Sequence, residues 1–136
     1  GAQSGNDPAV VQSVGQAYLA ALRGNNIDSM QMHWTDSVLV LPPGEPILRG
    51  RAAVRAWAEA FFQRFRVVEG QFTESHVTIS GNLAIERVAF SLTFRPVAGG
   101  APVTDVGKGV HVYRRQADGA WNLTMDIWNS DAAPSP

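Results

Sequence analysis

The sequence contains no cysteine among its 136 residues. Disulfide bonds, thiolate catalysis and metal sites built on cysteine are therefore excluded. No apolar run reaches the length that spans a bilayer, so we expect no membrane-spanning segment and no membrane partner. The compartment stays open between the cytoplasm and export, because the loose polar start of the chain would also suit a secreted protein after signal-peptide removal.

Charge of either sign is also not in excess. Eleven basic and twelve acidic residues give a formal net charge of −1, with no run of like charge. This balance argues against a nucleic-acid partner. The three histidines lack metal-ligand spacing, and Gly107-x-Gly109 lacks the third glycine and following helix of a dinucleotide site. We therefore expect no metal and no cofactor.

Length and composition indicate one domain. With 45% hydrophobic residues, the chain can bury a substantial core. Neither an internal repeat nor a linker divides it. We expect a single domain over 1–136, with an ordered core from about 8 to 130 and disordered ends that include the tail from Asp131.

The first half of the sequence carries helix signals. Asp7 and Pro8 supply an N-cap and a first-turn proline, apolar residues follow at helical spacing, and Gly24 ends the helix. A shorter helix is predicted from about residue 26 to residue 34. A third opens at Gly50, and its wide apolar stripe runs to Phe65.

The second half alternates with a period of two. A short strand over 38–41 precedes the third helix, and four long strand-like segments follow it at 67–80, 83–95, 102–116 and 120–129. Their connections have turn chemistry. Helices followed by a four-stranded antiparallel meander predict an α+β fold, and a curved sheet around a helix permits a pocket between them.

The last predicted hairpin brings His111 and Asp126 together. A two-residue Asp118-Gly119 loop would pair Ala117 with Ala120. Counting back from that pair puts His111 opposite Asp126, on one face, with Cβ atoms roughly 5 Å apart. An imidazole facing a carboxylate is the strongest indication of chemistry in the sequence, although such a pair could also be buried only to fix strand register.

Alternation divides this hairpin into two faces. One carries His111, Tyr113, Thr124, Asp126 and Trp128, and the more apolar one carries Val110, Val112, Leu123, Met125 and Ile127. Taken alone, the pattern would put the His–Asp pair in solvent. Alternatively, a polar-lined cavity covers one face and a second subunit covers the other, which predicts a homodimer through the outer face of the sheet. On the strand before, Glu86 is the single charged residue of the buried face.

Several segments carry a resemblance to a known family. They are AYLAALRGNNID (17–28), HWTDSVLVLPPG (33–44), RGRAAV (49–54), GKGVHVYRRQADGAW (107–121) and DIWNS (126–130). Together with the order of elements, they resemble the SnoaL-like and ketosteroid-isomerase-like families of the nuclear transport factor 2 superfamily. The resemblance covers about residues 10–130 and implies a cone of three N-terminal helices packed on a curved, mainly antiparallel sheet.

The resemblance also implies roles for individual residues. Tyr18 and His111 match the two groups that support the enolate oxygen in ketosteroid isomerases. Pro42 occupies the position of the general base of those enzymes, which argues against steroid isomerisation. Asp126 and His111 match the acid/base aspartate and partner histidine of SnoaL-like cyclases. Tyr18 and the His–Asp pair could instead be purely structural.

The expected function follows from these matches. The implied cavity binds a small apolar carbonyl compound, and cofactor-independent acid/base catalysis of the isomerase or cyclase type uses Asp126 as base. The alternatives are a dehydratase or hydrolase that uses the same pair, and a non-catalytic binding or association module. The implied substrate-binding residues are Trp34, Trp57, Phe61, Glu86, Tyr113 and Trp128, with Glu86 also an alternative base.

Overall fold

The computed structural model describes residues 7–133, in which helices pack on one curved, six-stranded sheet. Residues 1–6 and 134–136, which belong to the ends predicted to be disordered, lie outside the described residues. In chain order, the elements are α1 (Pro8–Arg23), α2 (Ile27–Gln31), β1 (Trp34–Leu41), β2 (Leu48–Arg49), α3 (Arg51–Arg64), β3 (Phe65–Ser80), β4 (Leu83–Pro96), β5 (Val103–Arg115) and β6 (Trp121–Ser130).

The helices begin where the sequence predicts. The Asp7 side chain accepts a hydrogen bond from the backbone N–H of Ala9 at 2.8 Å, and Asn26 caps α2 by accepting from that of Ser29 at 3.0 Å. The second helix is shorter than predicted and ends at Gln31. Trp34 opens β1, because the carbonyl of His33 accepts from the N–H of Leu123 and thereby starts a strand ladder.

The sheet has two strands more than the predicted meander. Its order is β2-β1-β6-β5-β4-β3, with β1 parallel to β6 and the other pairs antiparallel. The sequence favours the meander because hairpin turns mark it, whereas no local signal marks the parallel pairing of β1 with β6. The α+β class and the cone of three N-terminal helices on a curved sheet are confirmed.

The turn of the last hairpin differs from the prediction. Gln116, not Ala117, pairs with Ala120, since the N–H of Gln116 donates to the carbonyl of Ala120 at 2.7 Å. Three residues therefore form the loop, with Gly119 at a φ of 89°, a left-handed conformation that suits glycine. The predicted two-residue loop is therefore wrong, because it is one residue too short.

A β-bulge cancels that error. Tyr113 pairs with Leu123 but Val112 pairs with Met125, so Thr124 is an extra residue in β6. Beyond the bulge, His111 faces Asp126 as predicted. Before it, Leu123 points inward and is 1% exposed, so its predicted place on the outer face is wrong.

The core lies between the helices and the inner face of the sheet, where Trp34, Val38, Tyr113 and Leu123 are fully buried. At the end of β6 the chain remains attached, because the N–H of Asp131 donates to Val106 and its carboxylate pairs with Lys108 at 2.8 Å. Asp131, where the sequence predicts the disordered tail to begin, therefore contacts β5 through both its backbone and its side chain. Between residues 7 and 133, no helix has the length and apolarity needed to cross a membrane.

Candidate functional site

His111 and Asp126 lie side by side on the inner face of the sheet. They are cross-strand partners on β5 and β6, and Asp126 also neighbours Val40 of β1. His111 Nε2 lies 3.5 Å from Asp126 Oδ1. The side chain of His111 is 9% exposed and that of Asp126 is 16% exposed. Of the pair, Asp126 is therefore the slightly more exposed residue.

Glu86 lies on the far side of the same imidazole. It is the cross-strand partner of His111 on β4, and its Oε1 lies 3.1 Å from His111 Nδ1. Ser75 Oγ donates to Oε2 at 2.7 Å, and the Tyr113 hydroxyl donates to Oε1 at 2.9 Å. The three acid/base groups thus form a line across neighbouring strands, the Glu86–His111–Asp126 line.

Helix α1 covers the inner end of this line. Gly15 lies over the Glu86 carboxylate, so closely that a Cβ on Gly15 would stand 2.6 Å from Oε1 and 2.9 Å from Oε2. Glu86 is 0% exposed. Lack of a side chain at Gly15 therefore lets the helix backbone close over a buried carboxylate.

The line combines burial with opposite charges. Burial alone would lower the pKa of His111, but the negative charges of Asp126 and Glu86 and the hydrogen bond to Glu86 raise that pKa above its usual value. Burial raises the pKa of Asp126 above its ordinary range, and the positive charge of His111 only partly opposes this. Asp126 is thereby a more basic carboxylate than one in water.

Glu86 behaves in the opposite way. Burial would raise the pKa of this carboxyl group, but hydrogen bonds from His111, Ser75 and Tyr113, together with the charge of His111, hold it below its usual value. Glu86 is therefore the ionised end of the line. Two carboxylates flank one imidazole, and their environments push their proton affinities apart.

Tyr18 brings a phenol from α1 to the same region. Its hydroxyl accepts a hydrogen bond from Trp34 Nε1 at 3.0 Å. Within residues 7–133, the structure gives the hydroxyl proton of Tyr18 no acceptor. Burial, and then the charge of Asp126, raise the pKa of Tyr18, so the phenol stays neutral and keeps this proton. Tyr18 can therefore donate to a ligand atom.

Tyr113 and Trp34 occupy deep positions, each 1% exposed. Burial and the charge of Glu86 raise the pKa of Tyr113 well above its usual value, so its hydroxyl is a neutral donor to that carboxylate. Both residues are predicted to bind substrate. In the structure they act on protein atoms, since Trp34 holds Tyr18 and Tyr113 holds Glu86.

The remaining predicted residues form a separate aromatic set of Trp57, Phe61 and Trp128. They are half-buried and pack against the edge of the core. The ring of Trp57 stacks on Phe61 at 6.2 Å between centroids and meets Trp128 edge-on at 5.9 Å. Trp57 Nε1 also donates to Glu45 Oε2, in the loop after β1, at 3.2 Å.

The structure also shows contributors that sequence reasoning missed, namely Gly15 and Ser75. Gly15 lies on the buried stripe of α1 with Val11 and Tyr18. A glycine on such a stripe signals that something bulky lies opposite, and this could have been noticed. Ser75 has no such signal, because its contact depends on how β3 pairs with β4 and on two bulges in β3.

A surface groove of about 750 Å³ lies elsewhere, between α1, α2 and the β5–β6 turn. None of the nine predicted site residues lines it. Within the described part of the chain, no group of three or more His, Asp or Glu side chains is arranged to hold a metal ion.

Comparisons with known proteins place this fold. The sequence profile of the SnoaL-like domain matches residues 16–123. No functionally curated protein matches the sequence. A ketosteroid isomerase-like protein from Erwinia carotovora atroseptica has a similar structure, with a TM-score of 0.81 and 21% identity over 93% of this chain and 97% of that chain.

Two further solved structures show the range of proteins that share the architecture. A candidate dehydratase of the NTF2-like family from Streptomyces avermitilis has a TM-score of 0.79 and 21% identity, over 94% of this chain and 98% of that chain. ActVI-ORFA from Streptomyces coelicolor has a TM-score of 0.75 and 18% identity, over 90% and 96%. At these identities the structures show the fold alone, whereas the profile match covers most of the sequence. The chain therefore belongs to the SnoaL-like domain family.

Proposed function

We propose that this protein binds a small, mostly apolar carbonyl compound and catalyses proton abstraction next to the carbonyl, without a cofactor. The reaction is of the isomerase or cyclase type. The observation that carries the proposal is the end of the Glu86–His111–Asp126 line. There a partly exposed carboxylate of raised pKa stands beside an imidazole and near a phenol with a free proton.

Each group has the property that its role requires. A general base is most efficient when its pKa lies near the working pH, and burial moves Asp126 in that direction. An enolate oxygen needs a donor that keeps its own proton, and Tyr18 is such a donor. Asp126 takes the proton from carbon, Tyr18 donates to the developing enolate oxygen, and protonated His111 offsets the new negative charge.

The aromatic set suits the rest of such a substrate. Trp57, Phe61 and Trp128 offer half-buried apolar surface at one edge of the core, and ligand sites are largely apolar with a few oriented polar groups. The reacting groups are held in place by hydrogen bonds that involve Trp34, Glu86 and Tyr113. Trp34 donates to Tyr18, while Glu86 accepts from both His111 and Tyr113. The proposed substrate therefore carries its carbonyl at one end of an apolar body.

A dehydratase or hydrolase is the second candidate. It is favoured by the contact of His111 with Asp126, because a protonated imidazole can deliver its Nε2 proton to a leaving hydroxyl while the neighbouring carboxylate acts on carbon. The candidate dehydratase from Streptomyces avermitilis has the same fold. In this reaction the same Asp126 would remove the proton from carbon before the hydroxyl leaves.

We also propose that the protein is a homodimer through the outer face of the sheet. The outer apolar face consists of Leu39, Leu41, Ile85, Val110, Val112, Met125 and Ile127, which adjoin one another across β1, β6, β5 and β4. Ile85 is 48% exposed and Ile127 is 41% exposed. Contiguous exposed apolar surface of this kind is typical of subunit interfaces.

Asp126→Asn tests the catalytic proposal. The probes are small cyclic and aromatic ketones in D₂O, with exchange of the hydrogens next to the carbonyl followed by NMR, and with binding followed by quenching of tryptophan fluorescence. Loss of the base should slow exchange by about 10²–10⁴-fold. Affinity should change little, because the amide has nearly the shape of the carboxylate.

The matched control is Asp36→Asn, at an exposed aspartate on β1, which should leave exchange and binding unchanged. A protein that binds the ketones and gives no exchange above buffer would contradict the catalytic proposal and support a binding module. Acceleration of dehydration of β-hydroxy ketones, without exchange in simple ketones, would instead support the second candidate.

A further inference from the structure

We infer that Glu86 is a positioning residue, which fixes the tautomer and orientation of His111 and never contacts the substrate. The inference rests on the proposed function for its catalytic consequence. What it says about the tautomer and orientation of His111 rests only on the geometry around that residue.

Burial separates Glu86 from any substrate. Its side chain is 1% exposed, and Gly15 of α1 lies directly over both carboxylate oxygens. Three donors occupy those oxygens, namely Ser75 Oγ at 2.7 Å, the Tyr113 hydroxyl at 2.9 Å and His111 Nδ1 at 3.1 Å. A substrate would have to displace a helix and break at least one of these three hydrogen bonds to reach it. Glu86 is therefore neither the base nor a binding residue.

The proton on His111 follows from what its neighbours can do. An ionised carboxylate only accepts hydrogen bonds, so Nδ1 must carry a proton to bond Glu86. Tyr113 lies 3.4 Å from the same nitrogen, but its hydroxyl donates to Glu86. When the ring is neutral, Nε2 is consequently the unprotonated nitrogen, and it faces Asp126 at 3.5 Å. The neutral ring is thus protonated at Nδ1, on the side of Glu86.

Contacts behind Glu86 hold the carboxylate itself in place. Gln12 Nε2, on α1, donates to Ser75 Oγ and to the carbonyl of Ser75, each at 3.3 Å. Ser75 then donates to Glu86, which accepts from His111. One set of hydrogen bonds therefore connects α1 to β3, β4 and β5 and ends at the nitrogen that faces Asp126. An imidazole whose tautomer and orientation are already fixed loses little conformational freedom when a substrate binds. A buried carboxylate assists a catalytic histidine in this way.

The test is Glu86→Gln, with the nitrogen shifts of the His111 ring measured by long-range ¹⁵N–¹H NMR. In the wild type we expect the neutral ring to carry its proton on Nδ1. Glutamine offers both a donor and an acceptor, so in the variant the neutral ring should become a mixture of tautomers. The rate constant for ketone exchange should fall by at least about 10-fold with KM little changed, because orientation rather than binding is lost.

Glu74→Gln is the matched control, since this glutamate lies on β3 and pairs with Arg87 in the open, at 3.0 Å. It should alter neither the tautomer nor exchange. Ser75→Ala provides a milder variant should Glu86→Gln fail to fold. It removes one donor from Glu86 and should shift the tautomer in the same direction by less.

The outcomes separate this inference from the proposed function. A wild-type ring protonated on Nε2 would overturn it, as would a tautomer that both variants leave unchanged. A KM that rises in Glu86→Gln with an unchanged rate constant would show substrate contact and overturn it too. If the tautomer behaves as expected but the wild type exchanges no ketone, the positioning role stands and the catalytic proposal fails.

Discussion

At the scale of single residues, a missing side chain matters as much as the charged ones. Gly15 allows α1 to approach Glu86, and the carboxylate it covers cannot easily move because three donors hold it. Glycine lowers the intrinsic stability of a helix interior, by about 1 kcal/mol relative to alanine. The close approach of α1 to the Glu86 carboxylate therefore offsets the low helix propensity of Gly15.

Gly15→Ala should destabilise the protein although it improves helix propensity. The new Cβ would stand 2.6 Å from a carboxylate oxygen, so either the helix or the carboxylate must shift. Overpacking of this kind costs about 1–3 kcal/mol, which exceeds the propensity gain. Urea unfolding measures the net change in the free energy of unfolding.

Gly24→Ala is the control at the other end of the same helix. Its Cβ would meet the carbonyl oxygen of Ala20 at 3.4 Å, and the residue has a right-handed φ of −79° that alanine adopts freely. This variant should be close to neutral. If Gly15→Ala instead raised the free energy of unfolding by the full difference in helix propensity, α1 would not be in tight contact with the Glu86 carboxylate.

Some of the site could be predicted from single residues and some could not. The opposition of His111 and Asp126 follows from alternation along two adjacent strands. The Glu86–His111 contact does not, because the loop between β4 and β5 has turn chemistry but runs from 97 to 102, and a loop longer than a tight turn does not fix the register of its strands. The contacts of Ser75 and Tyr113 with Glu86 depend in addition on side-chain rotamers, which alternation cannot determine.

At the scale of elements, Asn25 joins the helices to the sheet. Its Nδ2 donates to the carbonyl of Val67 at 3.1 Å, and its Oδ1 accepts from the N–H of Val67 at 2.8 Å. Asn25 also has a φ of 53°, which asparagine tolerates better than most residues. Its side chain thus takes the place of a strand partner at the start of β3.

Asn25→Ala should lower the free energy of unfolding by about 2–3 kcal/mol. Two hydrogen bonds are worth roughly 1 kcal/mol each, and alanine adds about 1 kcal/mol of backbone strain at a positive φ. Chemical denaturation checks the total.

Asn25→Gly separates the two contributions, because glycine loses the hydrogen bonds but tolerates the conformation. It should lie between the wild type and the alanine variant. Asn129→Ala, at an exposed position of β6, controls for loss of an asparagine side chain. Equal stability of Asn25→Ala and Asn129→Ala would contradict a joining role for Asn25.

The elements themselves were largely predictable, since their periods change clearly along the chain and their caps and turns have characteristic residues. The largest exception is the pairing of β1. Trp34 belongs to a strand and β1 joins β6 through contacts between residues about ninety positions apart. Local sequence patterns carry no information about pairing at that distance.

At the scale of the whole molecule, the proposed dimer depends on the outer apolar face. Lysine at both Ile85 and Ile127 should convert the proposed dimer into a monomer, because two charges per subunit would be buried without partners. Sedimentation velocity at micromolar concentration checks the mass of each species.

Val97→Lys is the control, at a residue 54% exposed in the turn after β4 and away from that face. It should leave the mass unchanged. A wild-type protein that sediments as a monomer at this concentration would refute the dimer and leave the function of the outer face open.

The bulge at Thr124 has a consequence for the last two strands. Leu123 pairs with Tyr113 and Met125 with Val112, so excision of Thr124 alone would leave all these neighbours matched and Asp126 still opposite His111. The excision would remove the kink of β6 and the contact of Thr124 with Thr35 at 3.2 Å. The register of β5 against β6 and the kink of β6 are therefore specified by different residues. A one-residue change in the length of β6 can thus bend or straighten this strand without changing its register with β5.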